Sequence, residues 1–301
     1  GRIAVDTQTA MVLALYMDLV PDEFRKRLVS DLVKKLKEQK MHLTTGFVGT
    51  AFLCSALAEN GEAEAAYTLL LNEDYPSWLY EVNMGATTVW ERWNSLDENG
   101  RISSTGMNSL NHYSYGAVLE WIFRHVAGID VTEQGPGGKM MRISPKVDHK
   151  LGSASAVYDS ASGCYRCGWQ IENGDQITVT ITVPFGAKAQ VILPYAPDSV
   201  YHDTDNPLFE TVENGICCVK AGQYTVTYKA ASPLKKSYSV DSTLEDLLAE
   251  PAIRAFLSNM MEVDMIPDLA YGLTLRQAAE AFAGGVSAEQ AQRLNVLLEE
   301  F

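Results

Sequence analysis

The chain has 301 residues, 47% of them hydrophobic, and a formal net charge of −14. That length is enough for about two domains, each with its own core, and the acidic excess repels a phosphate backbone, which argues against nucleic acid as a partner. The longest apolar run, AMVLALYMDLV, falls well short of the roughly 18 residues that cross a bilayer and carries Asp18, so no membrane partner is expected.

The first 128 or so residues read as helices. After the DTQTAMVLAL segment and Pro21, apolar residues recur every fourth position at Phe24, Leu28, Leu32 and Leu36 among Arg, Lys, Asp and Glu, the pattern of an amphipathic helix with one buried stripe. The cations Lys34, Lys35 and Lys37 share that helix with Asp31 and Glu38, so they form a mixed surface and not a basic patch. A largely apolar helix follows from Gly46 to Glu59, stopped by Asn60-Gly61, and another from Glu62 to Leu71; such short helices joined by tight turns make helical hairpins. A further helix is expected from about His112 to Val126, with Gly128 as its C-terminal cap.

From Met140 the hydrophobic period changes to two. Ile177, Val179, Ile181 and Val183 alternate with threonines, as in a strand with one face on a core and one in water. Ala189 to Leu193 and Tyr224 to Tyr228 alternate likewise, so residues 139 to 232 are expected to form an antiparallel β-sandwich, with the Gly135-Pro-Gly-Gly138 cluster as the boundary before it. Beyond Pro233 helices return, announced by three capping boxes, Ser242 with Glu245, Thr274 with Gln277 and Ser287 with Gln290, and by Pro251 in the first turn of a helix.

The odd number of cysteines, Cys54, Cys164, Cys167, Cys217 and Cys218, fits a reducing compartment better than a disulfide framework, and the given residues hold no secretory leader, so a cytoplasmic location is expected. Cys164 and Cys167 resemble half of a zinc ribbon, but the adjacent pair Cys217-Cys218 points to opposite faces of a strand, and no metal site is expected. Nor does a glycine-rich phosphate loop appear, so no cofactor is implied.

The densest stretch is YPSWLYEVNMGATTVWERWNS, residues 75 to 95, with Trp78, Trp90 and Trp93 flanking Glu81 and Glu91. Aromatic rings stack on the C–H faces of a pyranose while a nearby carboxylate moves protons, so this composition suits a sugar site; large aromatics at irregular spacing equally fill cores. Taken alone, Glu91 beside Arg92 reads as a solvated surface carboxylate, His112 as a core histidine, and Glu81 as an ordinary loop carboxylate.

Three segments in this order, TGFVGTAFLCSALAENG from Thr45, YPSWLYEVNMGATTVWERW, and LNHYSYGAVLEWIFRHVAGI, closely resemble bacterial α-L-rhamnosidases of glycoside hydrolase family 78. The resemblance extends over roughly residues 6 to 230, including the GPGGKMMRISP connector and the ITVPFGAKAQVILP pattern. It implies the C-terminal half of an (α/α)6 barrel over residues 1–134 and an antiparallel β-sandwich over 135–232; residues 233–301, outside the resemblance, are expected to form a small helical domain.

The implied reaction is inverting hydrolysis of terminal α-L-rhamnose from a rhamnose-containing glycoside. Glu91, in Trp90-Glu91-Arg92-Trp93, matches the family's general base, and His112, in Asn111-His112-Tyr113, matches a histidine that contacts the sugar. The family's general acid lies in a segment upstream of the residues given, so the chain is expected to be part of a longer rhamnosidase and weakly active or inactive alone. Its barrel helices would lack neighbours and expose apolar surface through which the chain would self-associate. Alternatives are another sugar hydrolase on the same barrel, or a non-catalytic carbohydrate-binding or interaction protein of this fold.

Overall fold

The computed structural model describes residues 4–97, 99–103, 106–203, 205–260, 266–267, 270–282 and 284–298. Its contacts divide the chain into two compact units: Gly1–Gly116 together with Lys236–Phe301, and Ala117–Lys235.

The first unit begins with α1 (Gln8–Tyr16), α2 (Asp22–Glu38), α3 (Phe47–Glu59) and α4 (Ala63–Leu70). α3 packs against α1 and α4, and α1 against α2, so neighbouring helices form hairpins. α1 opens on Thr7, whose hydroxyl accepts the Ala10 N–H. α2 carries Asp22 and Glu23 in its first turn and Lys35 and Lys37 in its last, each sign at the end its helix dipole favours.

The stripe expected on α2 is buried at Leu28, Leu32 and Leu36, but Phe24 is exposed and Val29 takes part in the core. At about 100° per residue a repeat of four advances about 40° each time, so over three repeats the stripe rotates by about a third of a turn. Phe24 ends up pointing away. The approach of α1 to α3 depends on Gly49, where an added Cβ would lie 2.6 Å from Thr9 Oγ1.

α5 (Trp78–Asn83) lies inside the aromatic stretch, where periodicity announces no helix, and is capped by Ser77, whose hydroxyl accepts the Tyr80 N–H. The helix expected from His112 is realised as a 3-10 turn (Ser114–Ala117), one α-turn, α6 (Val118–Trp121), and a π-helical turn (Ile122–Val126). It ends at Gly128, whose φ of +81° and the Pro145 backbone 2.2 Å from any added Cβ both require glycine.

The last helices of the first unit are α7 (Leu244–Ala249), α8 (Pro251–Ser258), α9 (Leu275–Phe282) and α10 (Ala288–Leu298). They share a core that includes Val240, Leu244, Leu247, Ile253, Leu257 and Leu298. They are also bound to the first helices: Lys37 pairs with Asp246 at 2.6 Å, and the largely buried Arg254 donates to the Lys40 carbonyl and to Asp74 Oδ2. Two of the three expected capping boxes close reciprocally, Thr274 with Gln277 and Ser287 with Gln290. At α7 the cap is Thr243, paired with Asp246, and not Ser242. One residue's shift lets Thr243 accept the Asp246 N–H while Leu244 turns into the core.

The second unit holds two sheets. One has the order β1 (Ile129–Val131), β2 (Met140–Ile143), β6 (Lys188–Val191), β8 (Ile216–Val219), β7 (Val212–Glu213); the other is β3 (Ser153–Ser160), β4 (Gly163–Glu172), β5 (Gln176–Val183), β9 (Gly222–Lys229). All neighbours are antiparallel except β2 and β6, which run parallel with Met141 opposite Ala189 and Ile143 opposite Val191. This parallel pair departs from the wholly antiparallel expectation: long connections separate the two strands, and a hairpin is not what joins them. The Gly135–Gly138 cluster connects β1 to β2 within one sheet.

Ile177, Val179, Ile181 and Val183 are buried along β5, as their alternation requires, and register Val179 against Trp169 of β4. Trp169 donates its indole N–H to the Val126 carbonyl at 2.7 Å, and the buried Tyr165 hydroxyl lies 2.8 Å from the Gly138 carbonyl oxygen. Cys217 is buried and its neighbour Cys218 exposed, as opposite faces of a strand demand; burial pushes the Cys167 thiol up to about 12. All five cysteines are free, and among the described residues no group of three or more His, Cys, Asp and Glu side chains is arranged to hold a metal ion. No helix among those residues is long and apolar enough to cross a membrane.

Candidate active site

Glu91 and His112 lie on two irregular segments of the first unit that run side by side. The Glu91 N–H donates to the Ser109 carbonyl at 2.9 Å and the His112 N–H to the Val89 carbonyl at 2.8 Å. Farther along, Ser95 Oγ donates to Asn108 Oδ1 at 2.6 Å, and Asn108 Nδ2 returns a bond to the Ser95 carbonyl. These bonds fix the backbone of both segments without regular strand geometry, and leave the Glu91 and His112 side chains half-buried.

The His112 ring stacks between Phe47, the first residue of α3, at 4.9 Å and the exposed Tyr113 at 5.0 Å. Its Nδ1 accepts the Ser114 N–H at 3.3 Å, which puts the proton of the neutral ring on Nε2 and makes that nitrogen a donor. Ring orientation and tautomer are thus both set by neighbours. Phe47 has no signal in the sequence that would have singled it out, since a helix's first residue carries no periodicity.

The three tryptophans are packing residues. Trp78, Trp90 and Trp93 are 8%, 2% and 8% exposed. Trp93 stacks on Tyr115 at 3.8 Å, meets Trp78 edge-on, and donates to the Thr45 carbonyl; Trp78 donates to the Tyr115 carbonyl. Buried, and with the Trp78 and Trp93 indole N–H groups bonded, they read as packing residues of this unit and not as a platform for a sugar ring.

Glu81, expected to be an ordinary loop carboxylate, is instead a buried residue of α5, 4% exposed. Its Oε2 accepts the Trp90 N–H at 3.3 Å, and its Oε1 has no hydrogen-bond partner among the described residues. Burial pushes the carboxyl up to about 7, with the Trp90 N–H opposing the rise. The overlooked signal was its spacing: Glu81 follows Trp78 by three residues and so shares its face on a helix.

Residues 1–126 match the model of the bacterial alpha-L-rhamnosidase 6 hairpin glycosidase domain, and residues 128–206 that of the bacterial alpha-L-rhamnosidase C-terminal domain. The chain belongs to the bacterial α-L-rhamnosidase family. Its helical hairpins are therefore part of a six-hairpin barrel, followed in the chain by the family's β-sandwich.

Curated relatives agree. An α-L-rhamnosidase of Formosa agariphila is 39% identical over 208 residues, which is 69% of this chain and 22% of that protein. One of Alteromonas sp. is 39% identical over 221 residues, 73% of this chain and 23% of that protein. Among solved structures, the Streptomyces avermitilis α-L-rhamnosidase complexed with L-rhamnose aligns with a TM-score of 0.69 at 35% identity, covering 76% of this chain and 22% of that one. The native Aspergillus terreus enzyme aligns with a TM-score of 0.66 at 31% identity, covering 77% and 25%. The chain thus spans about a fifth to a quarter of the length of these family members.

Proposed function

We propose that this chain supplies the base-bearing portion of an α-L-rhamnosidase that hydrolyses terminal α-L-rhamnose from glycosides with inversion. The observation that carries the reading is the pairing of the Glu91 and His112 segments, which brings a half-buried carboxylate and a ring-clamped imidazole donor to one ribbon. Glu91 acts as general base: its carboxylate takes a proton from water as that water attacks the anomeric carbon on the face opposite the leaving oxygen. The leaving oxygen is protonated by a second carboxyl, which inverting enzymes place about 6.5–9.5 Å from the base to leave room for the water. That acid is not among the residues assigned here.

His112 donates from Nε2 to a sugar hydroxyl, and Phe47 holds its ring plane. Such a contact acts in the ground and transition states alike, so its loss is expected chiefly in KM. Activity and substrate are properties of the whole protein, and the family membership of this portion together with the Glu91–His112 arrangement is what supports them.

The test is release of 4-nitrophenol from 4-nitrophenyl α-L-rhamnoside by the 301-residue chain and by the full-length product of its gene. Glu91→Gln is expected to lower kcat of the active form by about 10²–10⁴-fold, the usual contribution of one positioned acid-base group. His112→Ala is expected to raise KM by about tenfold, about 1.4 kcal/mol. Turnover indifferent to Glu91, or absent from both forms, overturns the reading; rhamnose binding that survives both changes would move the function to carbohydrate binding by the sandwich.

A further inference from the structure

We propose that Glu81 is a positioning residue for Glu91, holding the Trp90–Glu91 backbone from beneath through its bond to the Trp90 N–H, and that the ionisation of Glu81 sets how firmly the base is held. The proposal rests on the reading of Glu91 as base.

The geometry begins with α5. Ser77 caps this helix, Trp78 is fixed by its indole bond to the Tyr115 carbonyl, and Glu81 lies one turn later on the same face. Its main-chain carbonyl accepts the Ala86 N–H at 3.0 Å, so both the backbone and the side chain of Glu81 hold the 86–90 segment. Trp90 is almost fully buried and directly precedes Glu91. Glu81 thus holds the peptide that enters Trp90, and the Ser109 carbonyl holds the next one, which leads into Glu91, so displacing the Trp90 amide shifts the backbone that carries the base.

The free Oε1 distinguishes this arrangement from a purely structural carboxylate. A buried carboxyl retained only for stability would have both oxygens satisfied, because an unpartnered buried polar atom is costly. Here one oxygen is bonded to the segment that carries the base and the other has no partner among the described residues. The titratable group that faces Glu81 is Tyr115, whose hydroxyl is pushed up to about 12 by burial, with the charges of Glu81 and Tyr75 adding and that of Arg92 opposing. With its carboxyl raised by burial to about 7, Glu81 switches near neutrality between an ionised acceptor, which makes the stronger charge-assisted bond, and a protonated, weaker one.

Two measurements test this. In the full-length product, Glu81→Ala is expected to lower kcat for 4-nitrophenyl α-L-rhamnoside by about 10- to 100-fold with KM within about threefold, as for a small misplacement of a reacting group. Glu81→Gln, which keeps a carbonyl oxygen for the Trp90 N–H, is expected to restore most of kcat and to remove a limb near pH 7 from its pH profile. In the 301-residue chain labelled with ¹⁵N, the Trp90 amide resonance is expected to shift with a midpoint near pH 7, and to stay fixed in Glu81→Gln.

A folded Glu81→Ala variant with unchanged kcat and pH profile overturns the proposal, and so does a Trp90 amide indifferent to pH. If Glu81→Ala does not fold, Glu81→Gln and the amide titration decide between the same two outcomes. Turnover that survives Glu91→Gln removes the base reading instead, and a Trp90 amide that still titrates in the unsubstituted chain then locates the failure at Glu91 and not at the Glu81 bond.

Discussion

Burial raises the Glu81 carboxyl from an ordinary 4.5 to about 7, so the folded chain holds that proton more tightly than the unfolded chain does. Its contribution to stability is therefore complete below about pH 4.5 and is lost as pH rises through about 7, a difference on the order of 3 kcal/mol for a shift of this size. The unfolding midpoint measured by circular dichroism should fall between pH 5 and pH 8 by more in the unsubstituted chain than in Glu81→Gln. An equal fall in both would mean that the carboxyl is hydrated. At this scale the ordered motifs single out Glu91 and His112 as candidates, whereas the sequence is silent where burial decides the role. Glu81's mark in the sequence is only its three-residue spacing from Trp78, and nothing marks Trp93 as the partner of Tyr115 and not of a sugar ring.

Elements with a clear period or cap were legible. β5 formed where threonines alternate with branched residues, and Ile177 is fully buried, so Ile177→Ala is expected to cost about 2–5 kcal/mol in denaturant unfolding. Thr274→Ala, which removes the hydroxyl that accepts the Gln277 N–H on the exposed start of α9, is expected to cost only about 1 kcal/mol. A loss at Thr274 as large as that at Ile177 would mean that the capping box holds a packed joint and not merely a helix end. The features that stayed hidden depend on partners remote in sequence. The parallel pairing of β2 with β6 joins strands more than forty positions apart, and α5 is too short for a hydrophobic period to show. The missing fourth member of the α2 stripe follows from helix geometry, since a strict repeat of four cannot stay on one face.

For the whole molecule, the sequence gives a succession of helices, strands and helices, and the structure shows that the last helices group with the first. Arg254 explains the grouping physically: an arginine exposed by only 8% requires acceptors for its guanidinium, and it finds them in the Lys40 carbonyl and Asp74. Composition cannot reveal such a choice of partners. Deletion of residues 236–301 is expected to speed amide hydrogen exchange in α2 while leaving β4 and β5 unchanged. Unchanged exchange in α2 would show that those helices contribute nothing to the first unit's stability.

The return of the chain to its first unit at Lys236 also imposes an order on synthesis. The β-sandwich unit is complete in sequence at Lys235, whereas the acceptors at Lys40 and Asp74 must wait for Arg254 to leave the ribosome. With elongation at about 5–20 residues per second, that wait follows the sandwich by about one to four seconds. During that interval the nascent chain carries a finished C-proximal unit and an unfinished N-proximal one, the reverse of the order in which their first residues were made.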